Sequence, residues 1–349
     1  MAHHEIQNDT PFAYTSLFPT DMDGRPLVVP LVKATYKISS NLSSLELNEE
    51  QVESEPLGEF CFGNEQSSYK YEPETAFIKS ATDIVLIGHA HAQTPNTTEM
   101  QAGLSVGPVK KILRVVGDRY LVKKSDVISI SEPKPFEKIP LIYERAFGGW
   151  DRRDSNPDKF RFEPRNPVGM GYRDSSLDTD DKVALPNIED PDHPYKSYGD
   201  TPPPAGFGFI SPHWQPRAAL AGTYDKAWDE QRKPLLPKDF DRRFFNAASP
   251  GLIAPGYLKG DEPVVVVNAS AEGRVAFNLP GVPPPLCNVE LRGGKHETLQ
   301  TQLDTVIINM DENLVFLLWR AYMIVRNGPQ DVVAIKVGTE SDLAMSVTT

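Results

Sequence analysis

Valine-rich and alternating runs dominate both ends of the chain. Pro26–Ser39 (PLVVPLVKATYKIS) is largely β-branched and predicts a strand, open to a break at Pro30. A DMDGRP turn precedes it, and the acidic stretch Asn41–Pro56 predicts a loop with one short strand. Thr82–Ala92 (TDIVLIGHAHA) predicts another strand. Lys110–Val122 (KKILRVVGDRYLV) predicts a hairpin turning at Gly117-Asp118. DVISIS and PLIYERAF carry the β pattern to about Phe147. It returns past Glu262, where PVVVVNAS and RVAFNLP predict a hairpin across Glu272-Gly273. Leu303–Val325 predicts a further hairpin turning at Asp311–Asn313. Val315–Val325 alone also fits a buried helix, but its β-branched flanks favour strands. Asp331–Gly338 (DVVAIKVG) predicts the last strand.

Residues 147–262 follow neither period. Fifteen of the 32 prolines lie there, which rules out long regular elements. Three of the four tryptophans, Trp150, Trp214 and Trp228, lie there too, which argues against disorder. The expectation is a long ordered irregular layer held by aromatic packing and Arg–carboxylate bonds, with short helices at Tyr224–Arg232 and Asp239–Ala248. Layers of this kind are costly to order and are often functional. The fold predicted is therefore mainly β: antiparallel, sandwich-like sheets carrying a Gly/Pro/aromatic-rich central layer and a few short helices. It is read as a single large domain in three regions, 1–146, 147–262 and 263–349. There is no βαβ alternation, no glycine-rich phosphate loop and no internal repeat.

The net charge of −12 argues against a partner held by phosphate contacts, so no nucleic acid is expected. The longest apolar run, Leu314–Trp319, is too short to span a bilayer. The N-terminus lacks a charged region followed by an apolar run, which predicts a cytoplasmic protein without a membrane association. Cys61 and Cys287 form no disulfide framework or zinc pattern and are read as small hydrophobes.

Two sets of residues invite a catalytic reading. His89 and His91 share one face of a predicted strand and could begin a zinc site, but no third ligand follows at a useful spacing. The plainer reading is two hydrogen-bonded histidines. Asp225, Asp239, Asp241 and Glu262 could supply a carboxylate pair for glycoside hydrolysis, with Trp150, Trp214 and Tyr224 stacking sugars. Against this, Arg145, Arg152, Arg153, Arg217, Arg242 and Arg243 belong to the same layer, and Arg–carboxylate bonds are the ordinary way to order it. No Gly-x-Ser-x-Gly elbow occurs. Of Phe207, Phe209, Trp214, Phe240, Phe244 and Phe245, most are expected in the layer's own core and a minority at a partner surface. Gly148, Gly149, Gly169, Gly171, Gly206 and Gly208 are read as backbone turns.

The ordered series YERAFGGWDRRD, NPVGMGY, LPNIEDP, GFGFISPHWQPR, GTYDKAW, RKPLLPKDFDRRFFNAA and GYLKGDE resembles domain-of-unknown-function family 2169. Its members occur with bacterial type VI secretion systems. The opening TPFAYTSLFPTDMDGRPLVVPLVKATYKI is also similar to that family's, and the resemblance spans roughly residues 5–310. It implies a non-enzymatic adaptor or chaperone that binds a PAAR-containing effector and assists its loading onto the VgrG spike. It supplies no catalytic, cofactor or metal residue. The residues expected to build the layer, some facing the partner, are Arg145, Trp150, Arg152, Trp214, Arg217, Tyr224, Asp225, Asp241, Arg242 and Phe244. The alternative is a carbohydrate-active enzyme or lectin-like module using the Asp- and Trp-rich layer.

Overall fold

The valine-rich run at the N-terminal end forms the longest strand, Leu27–Ile38, buried at every position except Lys37. Such a strand is covered on both faces, which is why its sequence is a nearly continuous apolar run rather than an alternating one. Pro30 does not break it. The proline pairs opposite Ser16, and its carbonyl accepts the Ala321 amide at 3.2 Å. The computed structural model describes residues 4–178 and 182–340.

Leu27–Ile38 lies inside a seven-stranded sheet. Its main path runs Ala13–Leu17, Leu27–Ile38, Leu314–Arg320, Gln302–Asn309 and Asp83–Ile87. The hairpin predicted across Asp311–Asn313 is present, with Asn313 at φ +55° in its turn. Val315 onward is strand and not helix. The second sheet runs Ile188–Glu189, Val109–Val116, Glu99–Val106, Pro263–Val267 and Arg274–Asn278, every pair antiparallel. A third joins Glu5–Asn8, Val332–Gly338, Leu286–Leu291 and Lys295–Gln300. Strands from both ends of the chain thus interleave, and one hydrophobic cluster runs from Val32 and Leu86 through Leu104 and Val266 to Trp319 and Val337.

The protein is mainly β, with one correction to a predicted hairpin, one to a predicted strand and one to strand direction. Val109–Val116 turns back not on Tyr120–Lys124 but on Glu99–Val106, through Gly107 at φ +52°. Gly117 instead passes against the Lys134 backbone, where a Cβ would lie 1.7 Å from the carbonyl oxygen. The chain therefore crosses there into a separate small sheet, Val127–Ile130, Tyr120–Lys124 and Lys182–Ala184. The strand predicted over Thr82–Ala92 is likewise divided at Gly88: Asp83–Ile87 stays in the large sheet, and His89–His91 pairs with Lys138–Pro140. Not every pair is antiparallel, since Gln302–Asn309 runs parallel to Asp83–Ile87, and Glu5–Asn8 parallel to Val332–Gly338.

Among its described residues the central layer contains two- and three-residue strands, short 3-10 turns and one α-helix, Lys226–Gln231. The helix is shorter than predicted and starts at Asp225, whose carboxylate accepts the Trp228 amide at 2.8 Å. The second predicted helix is a single 3-10 turn, Arg242–Phe245, begun in the same way by Asp241.

Candidate functional site

The layer begins at Tyr143, whose buried ring meets Trp214 edge-on at 5.5 Å. Phe147–Gly148 then pairs with Met170–Gly171, and Trp150–Asp151 with Arg161–Phe162. This register places Trp150 directly opposite Phe162. Their rings stack with centroids 4.4 Å apart, and the Arg152 guanidinium lies 4.7 Å from the indole centroid. Both rings remain open to solvent, Trp150 at 39% and Phe162 at 41%. Just before Trp150, Gly149 at φ +96° passes close against the Gly169 backbone, where a Cβ would meet the carbonyl oxygen at 2.4 Å.

A second stacked pair faces the same space. Phe60 and Tyr69 lie opposite on the Glu59–Phe60/Tyr69–Tyr71 hairpin, centroids 4.4 Å apart. Between the pairs runs a groove of about 1100 Å³, lined by Phe60, Tyr69, Trp150, Phe162, His213 and Trp214, with Arg152, Arg153 and Arg173 along it and Glu65 on the hairpin side.

Two links hold the walls together. Glu144 accepts the Ser68 amide at 2.6 Å and the Ser68 hydroxyl at 2.8 Å. Arg217 pairs with Glu72, just past the hairpin, and donates to the Ile210 and Phe244 carbonyls at 2.7 Å each. Its guanidinium also covers the Phe244 ring at 4.9 Å. Burial pushes the Glu72 carboxyl up, against the pull of Arg217.

Trp150, Arg152 and Trp214 therefore meet at one groove, with Arg217 and Phe244 behind it. The other expected residues lie elsewhere. Tyr224 packs on Trp228, Asp225 starts the helix, Asp241 and Arg242 sit at the 3-10 turn, and Arg145 reaches Asn187 at 3.2 Å. Phe207, Phe209, Trp214 and Phe240 are buried, as expected of most of the aromatics.

The acids weighed for hydrolysis are committed to local structure, and fewer of them to arginine than expected. Asp241 holds Arg243 at 2.9 Å. Asp239 accepts the Thr223 amide and hydroxyl at 3.0 and 2.7 Å, and Glu262 the Lys259 and Gly260 amides at 2.7 and 2.9 Å. His89 meets Asp311 at 2.9 Å, and among the described residues no group of three His, Cys, Asp or Glu side chains could hold a metal.

Three buried asparagines of the motifs carry no signal in the sequence pattern. Asn166 donates to the Tyr143 and Phe147 carbonyls at 2.8 and 3.0 Å. Asn187 donates to the Val116 carbonyl at 3.0 Å and to Asp118 at 3.1 Å. Asn246 donates to the Ala81 carbonyl at 2.8 Å and to Asp83 at 3.0 Å, while accepting from Ser80. An amide offers two donors and an acceptor, so one side chain can tie several irregular segments. Much of the motif series is thus scaffold that ties the layer's segments to one another and to the strands beside them.

The model of a bacterial protein family, DUF2169, described as an uncharacterized protein conserved in bacteria, matches residues 23–320. The chain belongs to the DUF2169 family. No curated protein and no solved structure matches it. The DUF2169 match takes in both groove walls, the Phe60–Tyr69 hairpin and the Trp150–Phe162 pair. Among the described residues no helix is long and apolar enough to cross a membrane.

Proposed function

We propose that this chain is a non-enzymatic adaptor or chaperone of type VI secretion. In this reading it binds a segment of a PAAR-containing effector and assists loading onto the VgrG spike. The observation that carries the reading is the groove between the two stacked aromatic pairs, with guanidinium groups along it. Exposed tryptophan beside arginine is the composition of protein-binding hot spots. The walls are braced by the buried Glu72–Arg217 pair and by Glu144, so the groove is formed before the partner arrives. Preformed sites lose less conformational freedom on binding. Covering an apolar effector segment until handover would also keep it from aggregating.

The carbohydrate reading draws on the same tryptophan. It is less well supported, because Phe162 and Arg152 already pack on the Trp150 ring and the acids it needs serve the loops. Size-exclusion chromatography with light scattering, on this chain mixed with the effector, tests the adaptor. The expected result is one co-eluting complex that Trp150→Ala and Phe60→Ala each weaken. A complex unaffected by both variants would remove the groove from the account.

A further inference from the structure

A second groove, of about 870 Å³, lies on another part of the layer, against the Val109–Val116 strand. Its walls are largely apolar and stiff: Ile112, Ile210, Pro203, Pro204 and Pro216 contribute to them. Proline walls carry no amide N–H and little freedom to rearrange. Lys111 also lines this groove. Its ammonium donates to the Ser249 hydroxyl at 2.6 Å and the Pro250 carbonyl at 2.7 Å. The buried Tyr143 hydroxyl donates to the same Ser249 oxygen at 2.8 Å.

Both partners of Lys111 are neutral. Among the described residues the two buried lysines, Lys33 and Lys79, each carry a carboxylate at 2.7 Å, Glu74 and Asp83 respectively. Lys111 has no carboxylate within 4.0 Å among the described residues. An ammonium has three N–H donors, and two are spent. Burial pushes Lys111 down to about 8, opposed only by the more distant Asp190. Asp190 is itself turned to the Asp192 amide at 2.9 Å and His193 at 3.2 Å.

We infer that this groove is a binding site for a monocarboxylate on an apolar body, its carboxylate completing the coordination of the Lys111 ammonium. The charge along the lining sets the limit of one negative group. Lys110, Lys111 and Arg165 face Asp190 and Asp192, and Arg165 is already held by Glu163 through two bonds of 2.7 Å. A phosphate or polyacid would meet the two aspartates. The apolar walls then select the body attached to the carboxylate. Two sources share this chemistry: a polypeptide carboxyl terminus and a fatty acid. This inference stands apart from the adaptor reading, since it uses a different groove and different residues.

The test is a titration of the full chain, with lysine labelled at 13Cε and followed by NMR. The probes are N-acetyl-Pro-Leu with a free carboxylate, its C-terminal amide, and octanoate. The expected result is that at least one carboxylate moves the Lys111 resonance and raises its titration midpoint. The amide should bind at least tenfold more weakly. Binding should fade as pH rises above about 8, where the unliganded amine loses its proton. Octanoate alone binding would identify a fatty acid, and the dipeptide alone a chain terminus. Lys111→Met should abolish binding, with circular dichroism confirming the fold. If that variant does not fold, the wild-type titration decides alone. Equal binding of acid and amide, or no response of Lys111 to either carboxylate, would overturn the inference.

Discussion

The Arg152 guanidinium lies 4.7 Å from the centroid of the Trp150 indole, whose ring also stacks on Phe162. This arrangement keeps a large aromatic at the surface without immersing it in the core. Its contribution to the fold is correspondingly small, of order 1 kcal/mol for the exposed cation–ring contact and the stack. Trp150→Ala should therefore shift thermal unfolding little. On the adaptor reading it should cost about 2 kcal/mol, or roughly 30-fold, in affinity for the effector, as central hot-spot residues do. Paired melting curves and binding isotherms measure the two effects separately.

Asn166 predicts the opposite balance. Its amide supplies both the Tyr143 and Phe147 carbonyls from a fully buried position. Asn166→Ala takes the side-chain donor from the buried Phe147 carbonyl, at about 1–3 kcal/mol, and leaves the Tyr143 carbonyl with the Ala146 amide at 3.1 Å. Denaturant unfolding should show a loss of about 1–3 kcal/mol. Asn156→Ala removes only an exposed cap on Asp158, and should cost about 0.5–1 kcal/mol.

Asp151 gives the acid limb of stability. Burial alone would raise its carboxyl, but bonds from the Ser175 hydroxyl and the Ser175, Asp174 and Arg153 amides outweigh that and hold it at about 2. A depressed folded-state value contributes stability that is present above the ordinary carboxylate value and is lost as pH falls through about 2. Chemical denaturation between pH 5 and pH 2 should show Asp151→Asn less stable at pH 5 and converging on the wild type at pH 2. A constant gap across that range would contradict the assignment.

The two cysteines should be slow nucleophiles. Burial pushes Cys287 up to about 12 and Cys61 up to about 11, so little thiolate exists at neutral pH. Iodoacetamide at pH 7.5 should label neither within minutes in the native chain, and both once it is unfolded. Mass spectrometry reads the number of adducts.

The strands were legible because a buried strand writes itself as a run such as Leu27–Ile38, and its turns as Asn313 or Gly273. Hairpin partners were less so. Whether Val109–Val116 folds onto the chain before or after it depends on Gly107 and Gly117, and both look like turn residues. The distinction lies in the Lys134 backbone packed on Gly117, a contact made only in the fold. Within the layer, Trp150 and Arg152 stood out by residue type. Phe60 and Tyr69 did not, although the aromatics of EFCFG and YKY on either side of a Gly-Asn turn were a usable signal. Asn166, Asn187 and Asn246 are not marked out in the sequence, because an asparagine in a loop reads as a turn former. Their role comes from burial, which periodicity does not report in an irregular segment.

The most direct test of the adaptor reading is effector solubility. The PAAR-containing effector and VgrG of the same secretion cluster would be expressed with and without this chain, and the soluble effector quantified after affinity capture. The account predicts that the effector is soluble only with this chain, is captured by it, and is lost from the capture with Trp150→Ala. An effector equally soluble in its absence and never captured would contradict it.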